Sequence, residues 1–288
     1  MDDRARDPAG GPPLSVLSPA MRAISGLLVA ISRGSLPALA VASVTVLGGA
    51  APLALLVQAI AALSLLPGIA AALLVRAGRV SLEASARSLV VETGGGIREI
   101  PFSSIASVEA WRLPLPRPGL TLGLGPQSDR IRIASADLVS LLGVLARADV
   151  RGARRAATSP AVVHAAVRRA HAARWLGGAL AKFGLFPLLP AAILFRAHQH
   201  ITWGGSFGQA RLAGWSFWLS SLATEIASVA IALLLYASVL RALAEVACFA
   251  AASVAPPRAA AVRHLTETAV LLAYYAGVPA FLAVVFLA

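Results

Sequence analysis

Residues 36–75 read LPALAVASVTVLGGAAPLALLVQAIAALSLLPGIAAALLV, forty consecutive positions without a charged side chain. One crossing of bilayer hydrocarbon takes about 20 such residues. The run is therefore long enough for two crossings, with the break expected at Gly48, Gly49 and Pro52, where flexible residues and a ring without an N–H mark a tight turn. Ahead of this hairpin, Met21 to Arg33 is expected to form an interfacial helix that keeps Arg22 and Arg33 among headgroups.

The rest of the chain agrees with that stretch. Of 288 residues, 58% are hydrophobic and 13% charged, and the mean hydropathy is +0.78. Such a composition excludes an ordinary soluble enzyme and also a disordered chain. Twenty-five Lys and Arg against thirteen Asp and Glu leave a net charge of +12, so the sparse charges are mostly cations suited to anionic lipid headgroups. With one cysteine, Cys248, no intrachain disulfide is possible. Asp2, Asp3 and Asp7 lie among Arg4 and Arg6, which does not fit the basic start of a signal peptide, and the N-terminus is expected to be retained. The bias toward Ala, Arg, Gly and Pro, with the single lysine Lys182, points to a GC-rich bacterial genome.

Between Gly78 and Asp149 the apolar runs shorten and β-branched residues alternate with polar ones, as in Arg130-Ile131-Arg132-Ile133. Period-two alternation between Gly and Pro breaks reads as a small β domain. Strands are expected at 79–84, 89–93, 97–101, 105–111, 120–124 and 130–134. A helix then begins at Ala136, with Ser135 as its N-cap, Asp137 in the positive first turn and Leu138, Leu141, Leu142 and Leu145 as its apolar stripe. Six short strands closed by an amphipathic helix, with Ile100-Pro101-Phe102-Ser103-Ser104-Ile105 leading into a strand, resemble the bacterial pleckstrin-homology-like (PH-like) domain of small membrane proteins. The resemblance covers about a quarter of the chain and finds six of that fold's seven strands. It implies a curved sheet capped by a helix and used to dock lipid or protein, without enzymatic activity.

Beyond this domain, Arg151, Arg154, Arg155, Arg168, Arg169 and Arg174 occur with no acid among them. A basic juxtamembrane helix is expected, each cation contributing on the order of 1 kcal/mol next to an anionic leaflet. Three further spans follow. Residues 176–195 include Lys182, Pro187 and Pro190 and are expected to kink. Residues 219–240 carry Glu225, whose cost of about +3 kcal/mol is offset by roughly −3 to −6 kcal/mol from Leu, Ile and Val. Residues 268–288 are uncharged. Residues 241–267 read as a helical hairpin interrupted at Pro256-Pro257, with an Arg241/Glu245 pair at one-turn spacing.

The domain plan is thus an N-terminal segment (1–34), a transmembrane hairpin (35–76), a PH-like domain (78–149), a basic helix (150–175) and a three-span region (176–288) with an outer loop at 196–215 and a cytoplasmic hairpin at 241–267. Fifteen arginines between Arg76 and Arg174, against Arg196 and Arg211 after the third span, put the N-terminus and β domain in the cytoplasm and the C-terminus outside. The fold class expected is a polytopic α-helical inner-membrane protein with about five transmembrane helices and a small cytoplasmic β domain.

The outer loop concentrates His198, His200, Trp203 and Ser206. Gly204-x-Ser206-x-Gly208 matches the nucleophile-elbow pattern, although that motif requires a strand turning into a helix. Tryptophans anchoring a turn at headgroup depth are the plainer reading. His198 and His200, if extended, face one side as two metal ligands lacking a third. Glu225 lies near a span's midpoint and calls for a partner such as Lys182 or Tyr236. Arg130 and Arg132 share a strand face that suits anionic headgroups or simply solvent. Nucleic acid is not an expected partner, because aromatics are not interleaved with the cations as stacking platforms. No catalytic residue, metal or cofactor is assigned. The function expected is a non-enzymatic scaffold or accessory subunit that contacts membrane lipids and a protein partner or a second copy. The alternatives are an intramembrane hydrolase using Ser206 with His198 or His200, and a small transporter relying on Glu225.

Overall fold

The computed structural model describes residues 14–48, 51–85, 87–93, 96–125, 129–135, 137–172 and 180–287. They fall into two compact units, one comprising the chain up to Arg33 with Leu65–Ala170 and Cys248–Val262, the other Gly34–Ser64, His171–Ala247 and the chain from Arg263 onward.

The first unit is built on a curled antiparallel sheet of seven strands: β1 (Leu14–Val16), β2 (Arg79–Ala84), β3 (Ser88–Thr93), β4 (Gly96–Pro101), β5 (Ile105–Ala110), β6 (Gly119–Leu124) and β7 (Asp129–Ser135). Their order is β4-β3-β2-β1-β7-β6-β5. The strand missing from the sequence reading is β1, which lies in the segment assigned to an N-terminal arm. Three residues are too few to display an alternation, yet β1 occupies the middle of the sheet, with Leu14 opposite Val80 on one side and Ser135 on the other. Along β7, Ile131 and Ile133 point into the core while Arg130 and Arg132 face out, as the pleat demands.

Helix α4 (Leu138–Arg147) buries Leu138, Leu141, Leu142 and Leu145 in the same core as Leu89, Leu120 and Ile133. Its N-cap is Asp137 rather than Ser135. The Asp137 carboxylate accepts the Ser140 N–H at 3.3 Å, whereas Ser135 ends β7 and its hydroxyl accepts the Asp137 N–H at 2.9 Å.

The basic stretch is not a separate helix. It forms α5 (Ala153–Ala157) and α6 (Pro160–Ala172), and Ala153, Ala156 and Val162 lie in the sheet's own core. The turn into α5 requires Gly152, whose φ is +88° and where a Cβ would approach the Val108 carbonyl oxygen to 2.7 Å.

Between β1 and β2 the chain forms α1 (Pro19–Thr45), α2 (Leu53–Ile60), a π turn at Ala61–Leu65 and α3 (Leu66–Ala77). The expected interfacial helix at 21–33 is not distinct from the first span. It is the opening of α1, because Pro37 removes only one N–H and the remaining ladder holds the helix together. The two legs meet at the sheet, where the Val16 N–H donates to the Gly78 carbonyl at 2.9 Å and the Ser15 hydroxyl to the Val75 carbonyl at 3.0 Å.

The second unit contains a π turn at Ala181–Leu185, α7 (Leu188–Trp203), α8 (Gly208–Ala213), most of α9 (Trp215–Val254), most of α10 (Ala259–Tyr275) and α11 (Gly277–Leu287). Its core holds Ala191, Val229, Leu233, Ala237 and Tyr274.

Among the described residues, four helical stretches are long and apolar enough to cross a membrane, at Pro19–Thr45, Leu53–Ala77, Trp215–Val254 and Pro256–Val284. Of the fifth expected span, residues 176–179 lie outside the described residues, and the remainder is divided by a turn at 186–187 between the π turn and the sixteen-residue α7. Helix also replaces most of the expected outer loop: α7 continues through Trp203, and only 204–207 turn before α8.

Candidate functional site

Two polar constellations in the second unit bear on chemistry. The first surrounds the α7–α8 turn. Helix α7 ends in Gly204, whose φ of +70° is the left-handed cap that glycine supplies without strain. The turn brings the Ser206 hydroxyl to 3.1 Å from His200 Nε2, and the Trp218 indole N–H donates to the Ser206 carbonyl at 3.2 Å. A cavity of ≈ 270 Å³ opens here, lined by Trp203, Ser206, Phe207, Arg211 and Leu212 among others.

Behind it, the buried Gln199 donates to Gln209 at 2.6 Å, and Gln209 to the Ser221 hydroxyl at 3.0 Å. Phe207, Trp215 and Trp218 pack as an aromatic cluster with centroids 5.7–5.8 Å apart.

His198 does not join His200. Both sit on a helix, where two positions differ by about 200° around the axis, so the shared-face geometry of an extended segment is lost. The flanks of Gly204-x-Ser206-x-Gly208 are helix on both sides, not strand then helix. Among the described residues no carboxylate bonds to His200, and no group of three His, Cys, Asp or Glu side chains is arranged to hold a metal.

The second constellation links α9 and α10. Arg241 pairs with Glu245 and with Glu267, each at 2.6 Å, while Arg263 pairs with Glu245 at 3.0 Å and Glu267 at 2.7 Å. Two cations and two anions make a neutral set. Arg263, at 1% exposure, lies wholly inside. Within the sequence, one-turn spacing announces the Arg241/Glu245 pair. Arg263 and Glu267 also stand one turn apart, but their meeting with the first pair depends on how two helices cross.

Glu225 takes no part in this set. It is half-buried on α9 and, among the described residues, forms no hydrogen bond or ion pair. Its two expected partners are engaged elsewhere. The Lys182 ammonium lies 4.5 Å from the centroid of the Tyr274 ring, and the Tyr236 hydroxyl donates to the Ala273 carbonyl at 3.2 Å.

In the first unit, Arg130, Arg151, Arg154 and Arg155 are exposed, and Arg132 and Arg168 half-buried. Arg154 has Asp149 at a loose 3.8 Å, with both side chains more than four-fifths exposed, a contact that contributes little. Arg169 is committed to Asp137 at 2.7 Å. Burial pushes the Asp137 carboxyl up, but the Ser140 N–H and hydroxyl and the Arg169 guanidinium outweigh it and hold the group below the usual aspartate range. Arg174 lies outside the described residues.

A cationic feature missed in the sequence is the stacking of Arg22 on Trp111, with its guanidinium carbon 4.0 Å from the ring centroid. Eighty-nine residues separate the two, so no local pattern announces the pair. No protein-family model, curated protein or solved structure matches this chain.

Proposed function

We propose that the chain is a polytopic bacterial inner-membrane protein acting as a non-enzymatic scaffold or accessory subunit, with a PH-like sheet unit on the cytoplasmic side that docks anionic headgroups and positions a partner. The observation that carries this reading is the junction of Val16 with Gly78. It ties the central strands of the sheet to both legs of an apolar hairpin, so a hairpin in the bilayer holds the sheet against the bilayer surface. The exposed arginines of β7, α5 and the turn before it supply the attraction to phosphate. The PH-like reading is supported by β1, which raises the strand number to the seven of that fold, and by α4 packed into the sheet's core.

The cation asymmetry supports an odd number of crossings, with fifteen arginines between Arg76 and Arg174 against Arg196 and Arg211 after the third expected span.

Hydrogen exchange on the full chain in lipid nanodiscs tests the docking. Amides of β7, α5 and α6 should exchange more slowly with phosphatidylglycerol present than in pure phosphatidylcholine, and the difference should shrink as salt screens the attraction. Equal exchange in both lipids contradicts it.

The Ser206–His200 contact favours a second reading, a serine hydrolase in which His200 takes the Ser206 proton as the oxygen attacks an ester carbonyl. A fluorophosphonate probe that labels the parent protein and not Ser206→Ala would support it. An unlabelled parent eliminates it.

A further inference from the structure

The loop that joins β5 to β6 is built unlike the other turns of the sheet unit. Residues 111–119 read WRLPLPRPG, with prolines at 114, 116 and 118, and no acid occurs between Glu109 and Asp129. Its base is closed by the Trp111 N–H on the Gly119 carbonyl at 2.9 Å and the Ser135 N–H on the Pro118 carbonyl at 3.0 Å. Trp111 is 4% exposed and packs with Leu17, Met21 and Ala134, and its indole N–H donates to the Thr121 hydroxyl at 3.1 Å. Thr121 is the cross-strand partner of Arg132, and Arg22 lies over the indole ring. The loop is therefore stiff, anchored and flanked by two further cations.

Its position along α1 fixes what it faces. A Cβ on Gly26 would lie 3.9 Å from Leu115, so the loop rests on α1 at that level. There the hairpin already presents apolar side chains outward: Ile24, Leu27 and Ile31 on one leg and Leu66, Ile69 and Leu73 on the other are each at least 40% exposed. Gly68 meets Ser32 across the legs, which aligns the two rows. Arg22 and Arg33 lie on either side of that level of α1, about 16 Å apart along its axis. At the edge of this apolar belt Leu113 is 58% exposed, Arg112 is exposed and Arg117 half-buried.

We infer that this loop, with Arg22 and Arg132, forms a binding site for an anionic phospholipid of the same leaflet: Arg112, Arg117 and Arg132 face its phosphate while Leu113 enters the acyl region. The lipid is favoured over a soluble phosphate by the apolar tip and by the continuous apolar belt beside it, and over an acidic protein by the belt alone, which needs covering by hydrocarbon. Arg22 acts through Trp111, holding the loop's base against α1. The inference rests on the docking reading above but concerns a different surface from α5 and α6.

The test uses the full chain with Leu113→Cys carrying an environment-sensitive fluorophore, in nanodiscs of phosphatidylcholine with increasing phosphatidylglycerol. Cys248 is buried and stays unlabelled. The label should blue-shift as phosphatidylglycerol is added. Arg112→Gln with Arg117→Gln should weaken binding on the order of 25-fold, about fivefold for each arginine, so that the half-maximal shift moves to a much higher phosphatidylglycerol fraction or out of range, with an unchanged thermal melt. The same shift in pure phosphatidylcholine, or no effect of the double substitution, overturns anion recognition. A shift produced in phosphatidylcholine by dissolved glycerol phosphate overturns the lipid as source. A label that remains in water in every lipid overturns the membrane contact and leaves this face to a protein. Slow exchange in α5 and α6 without a response at Leu113 would remove this site and leave the docking reading standing.

Discussion

The sheet of the first unit and the helices of the second place their polar and apolar side chains in opposite ways. In the sheet unit Leu89, Leu120 and Ile133 are completely enclosed while Arg130 and Arg154 face outward. In the helical unit Arg263 is enclosed by Glu245 and Glu267, while Leu243, Val246, Leu272 and Phe281 are each more than 60% exposed. The first arrangement is that of a protein in water, where apolar burial drives assembly. The second suits hydrocarbon, where outward apolar groups cost nothing and association relies on packing and polar contacts between helices. One chain thus carries an arrangement suited to water and another suited to hydrocarbon.

The largest expected effect lies in the helical unit. Glu267→Ala leaves Arg241 and Arg263 sharing one carboxylate, and stripping a partner from a buried charge costs about 3–5 kcal/mol. Thermal inactivation in detergent should shift accordingly. Replacing all four charged residues with apolar ones of similar volume should recover most of that loss, because the desolvation penalty disappears together with the attraction. Failure of that rescue would mean that the charges do more than join two helices.

The matching change in the sheet unit is Leu142→Ala. With Leu142 at 1% exposure, the lost transfer energy and the cavity should together cost about 3–4 kcal/mol in a denaturant melt, and no second polar substitution should restore it. Gly152→Ala should cost about 1–3 kcal/mol through its left-handed backbone and loosen α5 specifically, as read by exchange of the Ala156 amide.

Asp137→Ala should cost about 1 kcal/mol as a lost N-cap. Because the Asp137 carboxyl titrates below the ordinary aspartate value of about 3.9, its contribution is complete above that pH and disappears as pH falls through the lower, folded-state value. A pH series on Asp137→Asn should lack that component.

How much of this was legible follows from the range over which each signal acts. The β2, β5 and β6 alternations and the stripe of α4 are local patterns, and the observed elements lie within a residue or so of where the residues placed them. The charge-free run of 36–75 likewise announced two helices. Strand β1 stayed hidden because three residues have no readable period and their partners, Val80 and Ser135, come from distant strands. The composition of the α7–α8 turn, dominated by Gly, His and Trp, suggests a loop, whereas the helix carries on to Trp203 and only Gly204 breaks it. A pairing of Ser206 with His198 or His200 is legible as residue types, whereas which histidine Ser206 meets depends on the turn. The four-membered Arg/Glu set is not legible, since helix crossing is a tertiary fact.

The central claim is that apolar helices cross a bilayer with the sheet unit at one face. It is tested most directly by labelling single cysteines with a membrane-impermeant maleimide in intact and in opened cells, at Arg154 on the sheet unit, at Leu47 in the first hairpin turn and at Gly205 between α7 and α8. The account predicts that Leu47→Cys and Gly205→Cys react from outside and Arg154→Cys only after the cells are opened. Reaction of Arg154→Cys and Gly205→Cys from the same side contradicts it.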